Sequence, residues 1–408
     1  MDNQSKTLRQ SRRIYLAENA LASVIFSLGT GSFIAGLLSW MGASPATCAL
    51  VGAFPQLGCV MQLVSPFLFE RLSRRKGVVI LCCFGFRFLL GCAGIIPLLF
   101  GGAQESIVPV YLAAFLFAGF VTPGLTQWMM DIAPREGRGR YFARRDILSS
   151  AVNAAGILLM SILLDAMIAA GRVREGYMLV FGTVVLLSVV DAVLLSRIVE
   201  PGASAIVRLM PADLLRPFRD RRFCPILVFV ALWFFAQDLS TGFLTVYQLT
   251  VLGLDYKLIA VMTVVSSAAG MAMSWVWGSF ADRYGFRRLL AAGGLLMAAA
   301  NVGWFFLPAS LAWLAPALQC LTAAGNSAYG ISNMNIQYAS CPEDGKTAYL
   351  GVAAAVSNLV GYIAVFLGAQ LQPLLAQGFG REGIPILFAM SAGGFLICIR
   401  YTRRIADV

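Results

Sequence analysis

Five ionisable side chains stand inside apolar runs where hydrocarbon would be their solvent: Glu18, Arg87, Asp165, Asp191 and Asp238. A charge at bilayer depth costs several kcal/mol unless it is paired, protonated or wetted, so each is a candidate for function. Asp238 is the sharpest case, because the C-terminal half of the chain holds no other deeply placed ionisable residue. It can face a wet cavity, carry a proton, or meet a cation from the other half or from a solute; the purely structural alternative is a carboxyl bonded to Gln237 or Ser240. Arg87, mid-run, needs an anionic partner, since an unpaired guanidinium there is costly; Asp191, as a structural ion pair, and Glu18, as a pair that opens while the protein works, are the candidates. Glu18 sits little over one turn into its run, where water and Asn19 could satisfy it. The chain has no His. A proton moved through it must therefore ride on Asp, Glu or water, with Asp238 and Glu18 as the coupling candidates.

Neutral polar residues form a second set. Asn326, Gly330, Asn333 and Gln337 follow one another at spacings of 4, 3 and 4, which puts them on one helix face. Asn358 and Tyr362 (beside Ser357), Gln127 and Trp128, Asn153, and Gln248 (beside Tyr247) join them as candidates to line a substrate cavity. The alternative is interhelical hydrogen bonding, for which Asn and Ser are common.

These residues need a membrane scaffold. Of 408 residues, 59% are hydrophobic and 12% charged, against about 45–50% and 25% in soluble domains. Apolar runs near 14–38, 45–69, 77–100, 107–130, 146–170, 177–196, 224–250, 258–281, 287–306, 310–338, 347–372 and 383–399 are each long enough for about 30 Å of hydrocarbon. The first follows a polar, basic start and is too long for a cleavable signal, so it reads as a retained anchor. Of 31 basic residues, 26 fall at the termini and in alternate loops, four in the other loops, and Arg87 within a span. Both termini are thus expected in the cytoplasm and the protein in the plasma (inner) membrane. That alternation reads the net charge of +11 as topology, with no nucleic acid partner. Nine cysteines without C-x-x-C spacing and no His imply neither disulfide framework nor metal site. The absence of G-x-x-x-x-G-K-[ST] excludes that ATP loop, no nucleophile–base pair can be built without His, and no cofactor is implied. The chain reads as no enzyme.

One charged turn is the most specific stretch: Gly278, Asp282, Arg283, Gly285, Arg287 and Arg288 within Gly278–Arg288, between two spans. A degenerate copy stands about 212 residues earlier, with Glu70, Arg71, Arg74 and Arg75, but with Pro66 and Ser73 where the glycines belong. Other echoes share nearly one offset. Leu28, Gly29, Thr30, Gly31, Leu38 and Gly42 correspond to Leu239, Ser240, Thr241, Gly242, Leu249 and Gly253, and Pro134, Glu136, Gly137, Arg138 and Tyr141 to Pro342, Asp344, Gly345, Lys346 and Tyr349. The chain reads as a duplication, 1–199 and 223–408, joined by a cytoplasmic loop at 200–222.

The pattern G-x-x-x-D-R-x-G-x-R-R resembles the signature of the major facilitator superfamily, and with the duplication the resemblance covers essentially the whole chain. It implies an all-α polytopic membrane protein of twelve transmembrane helices in two pseudo-symmetric six-helix halves. It also implies that the first, seventh and tenth helices line a central cavity, that the third and sixth lie side by side, which makes Arg87–Asp191 the expected structural ion pair, and that the charged turns act as a conformational switch. The expected function is secondary active transport of a small organic solute by alternating access, by a monomer with a proton as coupling ion. A neutral polar, sugar-like solute is favoured by the amides. The alternatives are an exporter of lipophilic or drug-like compounds and a non-transporting sensor or assembly factor. A G-P-rich fifth span, marking drug–proton antiporters, is absent around Ala151–Leu164, and Val199–Gly202 matches the sugar-porter signature poorly.

Overall fold

The computed structural model describes residues 2–65, 69, 75–100, 106–134, 138–200, 214–342, 346–379 and 383–405. It divides into two units, Met1–Ala43 with Leu57–Arg208, and Ser44–Gln56 with Leu209–Val408. The second apolar run thus contributes its first part, Ser44–Gln56, to the unit built mainly from the C-terminal half.

The first unit holds α1 (Asp2–Gly29) and α2 (Gly31–Trp40); α3 (Pro45–Gly52) lies in the second, and the short α4 (Phe54–Cys59) runs across the division between Gln56 and Leu57. The first unit continues with α5 (Lys76–Phe100), α6 (Ile107–Ile132), α7 (Arg138–Ala169) and α8 (Val173–Ser196). The second adds α9 (Arg216–Arg219), α10 (Cys224–Val246), α11 (Tyr256–Tyr284), α12 (Phe286–Phe306), α13 (Ala315–Ser340), α14 (Lys346–Phe379) and α15 (Ile384–Tyr401). No strand occurs among the described residues. In hydrocarbon the backbone must satisfy its own hydrogen bonds, and an all-helical chain does so.

Among the described residues, eleven stretches are long and apolar enough to cross a membrane. The remaining run is α13, 26 residues long, which spans about 39 Å at 1.5 Å per residue. It falls short on hydropathy because it carries the amide stripe.

Each unit repeats one packing scheme. In the first, α1 lies against α7 and α8, and α5 against α6 and α8; in the second, α10 lies against α14 and α15, and α12 against α13 and α15. Between apolar helices in lipid, close backbone approach replaces hydrophobic burial as the source of attraction. Glycine provides it: a Cβ on Gly94 would fall 2.1 Å from the Phe181 ring, and one on Gly119 would fall 1.7 Å from the Gly58 carbonyl oxygen. The echoes seen in the sequence have structural counterparts. Gly42 and Gly253 both take positive φ, 86° and 63°. Tyr141 donates to the Arg12 carbonyl (3.1 Å) and its counterpart Tyr349 donates to Asp220 (3.2 Å), so each unit ties the start of its fifth span to the start of its first. One echo diverges: the chain breaks helix at Thr30, before Gly31 at φ 57°, whereas Thr241 and Gly242 lie within continuous α10.

Candidate functional site

Asp238 lies in α10, between its Pro-containing first turn and the π turn Tyr247–Val251. The side chain is 3% exposed and its Oδ2 accepts a hydrogen bond of 2.8 Å from Gln56 Nε2. Among the described residues no cation pairs with it. The expected structural alternatives are not the ones used: Gln237 Oε1 accepts from Trp233 Nε1 (3.2 Å), and Ser240 donates to Asn301 Oδ1 (3.0 Å). The partner comes from the segment Ser44–Gln56, which packs with α10 and α14. Gly361 of α14 closes the site; a Cβ there would lie 2.3 Å from Asp238 Oδ2 and 3.2 Å from Gln56 Nε2. Gln56 Oε1 is buried without a partner. Sequence reading missed Gln56, although an amide directly after Phe54-Pro55 inside an apolar run was a signal.

In the first unit Arg87 stands between two carboxylates. Its Nη1 bonds Asp191 Oδ2 and its Nη2 bonds Glu18 Oε1 at 2.9 Å. All three are buried, Glu18 at 1%, Arg87 at 6% and Asp191 at 0% exposure. The expectation that water and Asn19 satisfy Glu18 is corrected: α1 continues well beyond the apolar run toward the N-terminus, which places Glu18 in the packed interior. The two proposed partners of Arg87 are used together. Asp191 Oδ1 is left buried without a hydrogen bond.

The neutral candidates divide by what they touch. Gln337 donates to Asn333 one turn away (2.9 Å), and Asn326 is half-buried on the same face of α13. Gln248 is buried and donates to Gln319 (3.3 Å), while Tyr247 donates to the Leu307 carbonyl (2.7 Å). Asn358 turns its amide back to the Ala354 carbonyl (2.7 Å), and Tyr362 packs on the apolar core around Phe243 and Phe388. Gln127 accepts from Arg75, and Trp128 donates to the Val199 carbonyl (3.2 Å). These two thus hold the ends of neighbouring helices. Asn153 is half-buried with an unpartnered Oδ1.

At the charged turn, Gly285 takes φ 84° and ψ 158° between α11 and α12, and its N–H donates to the Ala281 carbonyl (2.8 Å). Asp282, Arg283 and Arg288 are exposed and Arg287 half-exposed. A Cβ on Gly278 meets nothing within 4 Å. In the first copy Glu70, Arg71 and Arg74 lie outside the described residues. Arg75 is described, and its N–H donates to Glu200 Oε1 (2.7 Å), a contact that also draws in the Lys76 N–H (3.3 Å) at the start of α5. A carboxylate there faces the positive helix end. No group of His, Cys, Asp and Glu that could hold a metal occurs among the described residues.

Solved structures of similar fold include the nucleoside transporter NupG (TM-score 0.74, 12% identity, covering 99% of each chain). Others are a D-xylose-proton symporter (0.68, 14%, 94% of this chain and 96% of that one) and the POT family transporter PepTSo (0.76, 10%, 97% and 98%). Among proteins of curated function none matches the chain in sequence. At these identities the likeness is one of fold. The family model described as Major Facilitator Superfamily matches residues 20–369. The chain is therefore a multi-pass membrane protein of transporter type, not an enzyme, and it belongs to the Major Facilitator Superfamily.

Proposed function

We propose that this protein is a secondary active transporter that moves a small organic solute by alternating access and couples it to protons through Asp238. The observation that carries the reading is a buried carboxyl whose bonded partner is a neutral amide, not a cation. An amide suits both protonation states. Its N–H donates to the carboxylate, and its oxygen, here without a donor, can accept from the protonated carboxyl. An ion pair with Lys or Arg would lock the charged form instead. The buried amides Gln248 and Gln337 favour a neutral polar, sugar-like solute, recognised by hydrogen bonds. Two of the similar folds are described as a nucleoside transporter and a D-xylose-proton symporter, which fits that class. We propose that it works as a monomer in the plasma membrane, and the basic-loop alternation supports both termini in the cytoplasm. The turn at Asp282 and Arg283 would bias the two conformations.

The test begins with a ligand-dependent thermal-shift screen of sugars, nucleosides, peptides and cationic dyes, followed by transport in reconstituted vesicles. Asp238→Asn mimics the protonated carboxyl. It should abolish accumulation against a gradient while leaving substrate binding and counterflow exchange largely intact. A variant that still concentrates the solute with unchanged pH dependence would remove proton coupling from Asp238. A screen answered by dyes alone would replace the polar solute with a lipophilic one.

A further inference from the structure

A cavity of about 680 Å³ opens in the second unit, far along α10 from Asp238, lined by Asp220, Arg221, Arg222, Pro225, Ile226, Ser340, Cys341 and Arg404 among others. We infer that it is a binding site for a phosphoryl anion, carried by the headgroup of an anionic lipid or by free phosphate.

Its charge is unbalanced. Among the described residues none of Arg221, Arg222 and Arg404 forms an ion pair, and all three are exposed. The one carboxylate in the lining is committed elsewhere: Asp220 Oδ1 accepts from the Arg222 backbone N–H (2.8 Å) and Oδ2 from Tyr349 (3.2 Å). The Tyr349 ring packs edge-on against Phe223 (4.9 Å between centroids), which fixes the loop carrying both arginines. Arg404 lies over the Tyr401 ring, 5.5 Å from its centre. Three guanidiniums of flat, forked geometry suit the oxygens of a phosphoryl group, which can take two N–H bonds from each. The first turn of α10, at Cys224 and Pro225, adds the positive end of a helix. The last carbonyls of α13 oppose it, but with Asp220 counted the lining still holds two full positive charges in excess, which partial charges do not cancel.

The position selects between sources. One membrane-crossing stretch begins at Cys224 and another ends at Arg404, so the cavity stands at the level where hydrocarbon gives way to headgroups. Its wall is partly apolar, through Pro225 and Ile226. Just before it, Leu215 and Phe218 are 56% and 52% exposed. A ligand that joins a phosphoryl group to an acyl chain answers both features; free phosphate answers only the first.

The experiment compares thermal unfolding of detergent-purified protein titrated with dioleoylphosphatidylglycerol, dioleoylphosphatidylcholine or inorganic phosphate. Phosphatidylglycerol should raise Tm in a saturable way and phosphatidylcholine should not. In Arg221→Gln/Arg222→Gln/Arg404→Gln the apparent affinity should fall about a hundredfold, at roughly fivefold per lost cation. If phosphate alone gives the same saturable shift, and the variant loses it, the occupant is free phosphate and the site stands. Equal phosphatidylglycerol shifts in wild type and variant overturn it. Should the triple variant fail to fold, Ser340→Glu adds a carboxylate to the lining and must weaken the shift; an unchanged shift also overturns the site. Asp238→Asn should retain the lipid response, which separates this result from that on transport.

Discussion

Two buried carboxylates on one guanidinium leave Glu18, Arg87 and Asp191 with an excess of negative charge, so the three substitutions are not equivalent. Arg87→Gln strands both carboxylates and should cost about 3–5 kcal/mol, the usual range for an uncompensated buried charge. Glu18→Gln or Asp191→Asn leaves a one-to-one pair and should cost far less. The triple neutral variant should recover most of the Arg87→Gln loss. Melting temperatures of the four proteins check this, and equal losses for the three single variants would show that the groups do not act together. Gly361 makes a second residue-scale argument. A methyl there collides with the mobile end of Asp238, not with backbone, so Gly361→Ala should fold yet break the Gln56 bond. Losing a hydrogen bond to a charged partner is worth about tenfold or more, and accumulation of solute in vesicles should fall by that order while expression holds. Wild-type accumulation would mean that the Gln56–Asp238 contact has no part in the cycle. The sequence made Asp238 legible through depth and isolation. It could not show Gln56, because contacts across 182 positions follow from packing and not from any local period.

Among elements, the charged turn separates two roles for glycine that one motif letter conceals. Gly285 sits at φ 84°, ψ 158°, a region open in practice only to glycine. Gly285→Ala should therefore cost about 1–3 kcal/mol. A Cβ at Gly278 meets nothing within 4 Å, so Gly278→Ala should stabilise by up to about 1 kcal/mol from helix propensity. Thermal unfolding of the two variants decides it; comparable losses would give Gly278 a packing role. The other element-scale contrast is the break at Thr30–Gly31. The echo Leu28–Gly31 with Leu239–Gly242 reads as equal helices in the sequence, since Thr and Gly are tolerated in both settings. What ends the helix in one unit and not the other is tertiary context, which composition does not carry. The helix starts were likewise only partly readable: the cap that Glu200 makes on Arg75 and Lys76 joins residues 125 and 124 positions apart. By contrast, the amide stripe of α13 was fully visible, because a four-three-four spacing is a helix face by geometry alone.

At the scale of the whole molecule, the duplicated plan was readable from offsets, and its physical content is the pair of tyrosine ties. Tyr141 holds Arg12 and Tyr349 holds Asp220, so the same joint recurs in each unit although its acceptor is a backbone carbonyl in one and a carboxylate in the other. The division of the second run at Gln56 was not readable, because both sides of the boundary belong to one apolar run and only packing separates them. Sidedness remains the property on which the transport reading most depends, and it follows from charge. Basic residues concentrate at the termini and alternate loops, and moving them across the membrane is strongly disfavoured. On a background cleared of the nine native cysteines, single cysteines at Phe218 or Arg144 should react with a membrane-impermeant maleimide only after the membrane is opened. Cysteines at Arg172 or Lys257 should react in intact cells. All four positions are exposed, so their reactivity reports sidedness and not burial. Reaction of Phe218→Cys from outside would invert the orientation. It would also move the arginine-lined cavity to the opposite leaflet and make the charged turn at Asp282 an external feature, leaving the proton path through Asp238 to be drawn from the other side.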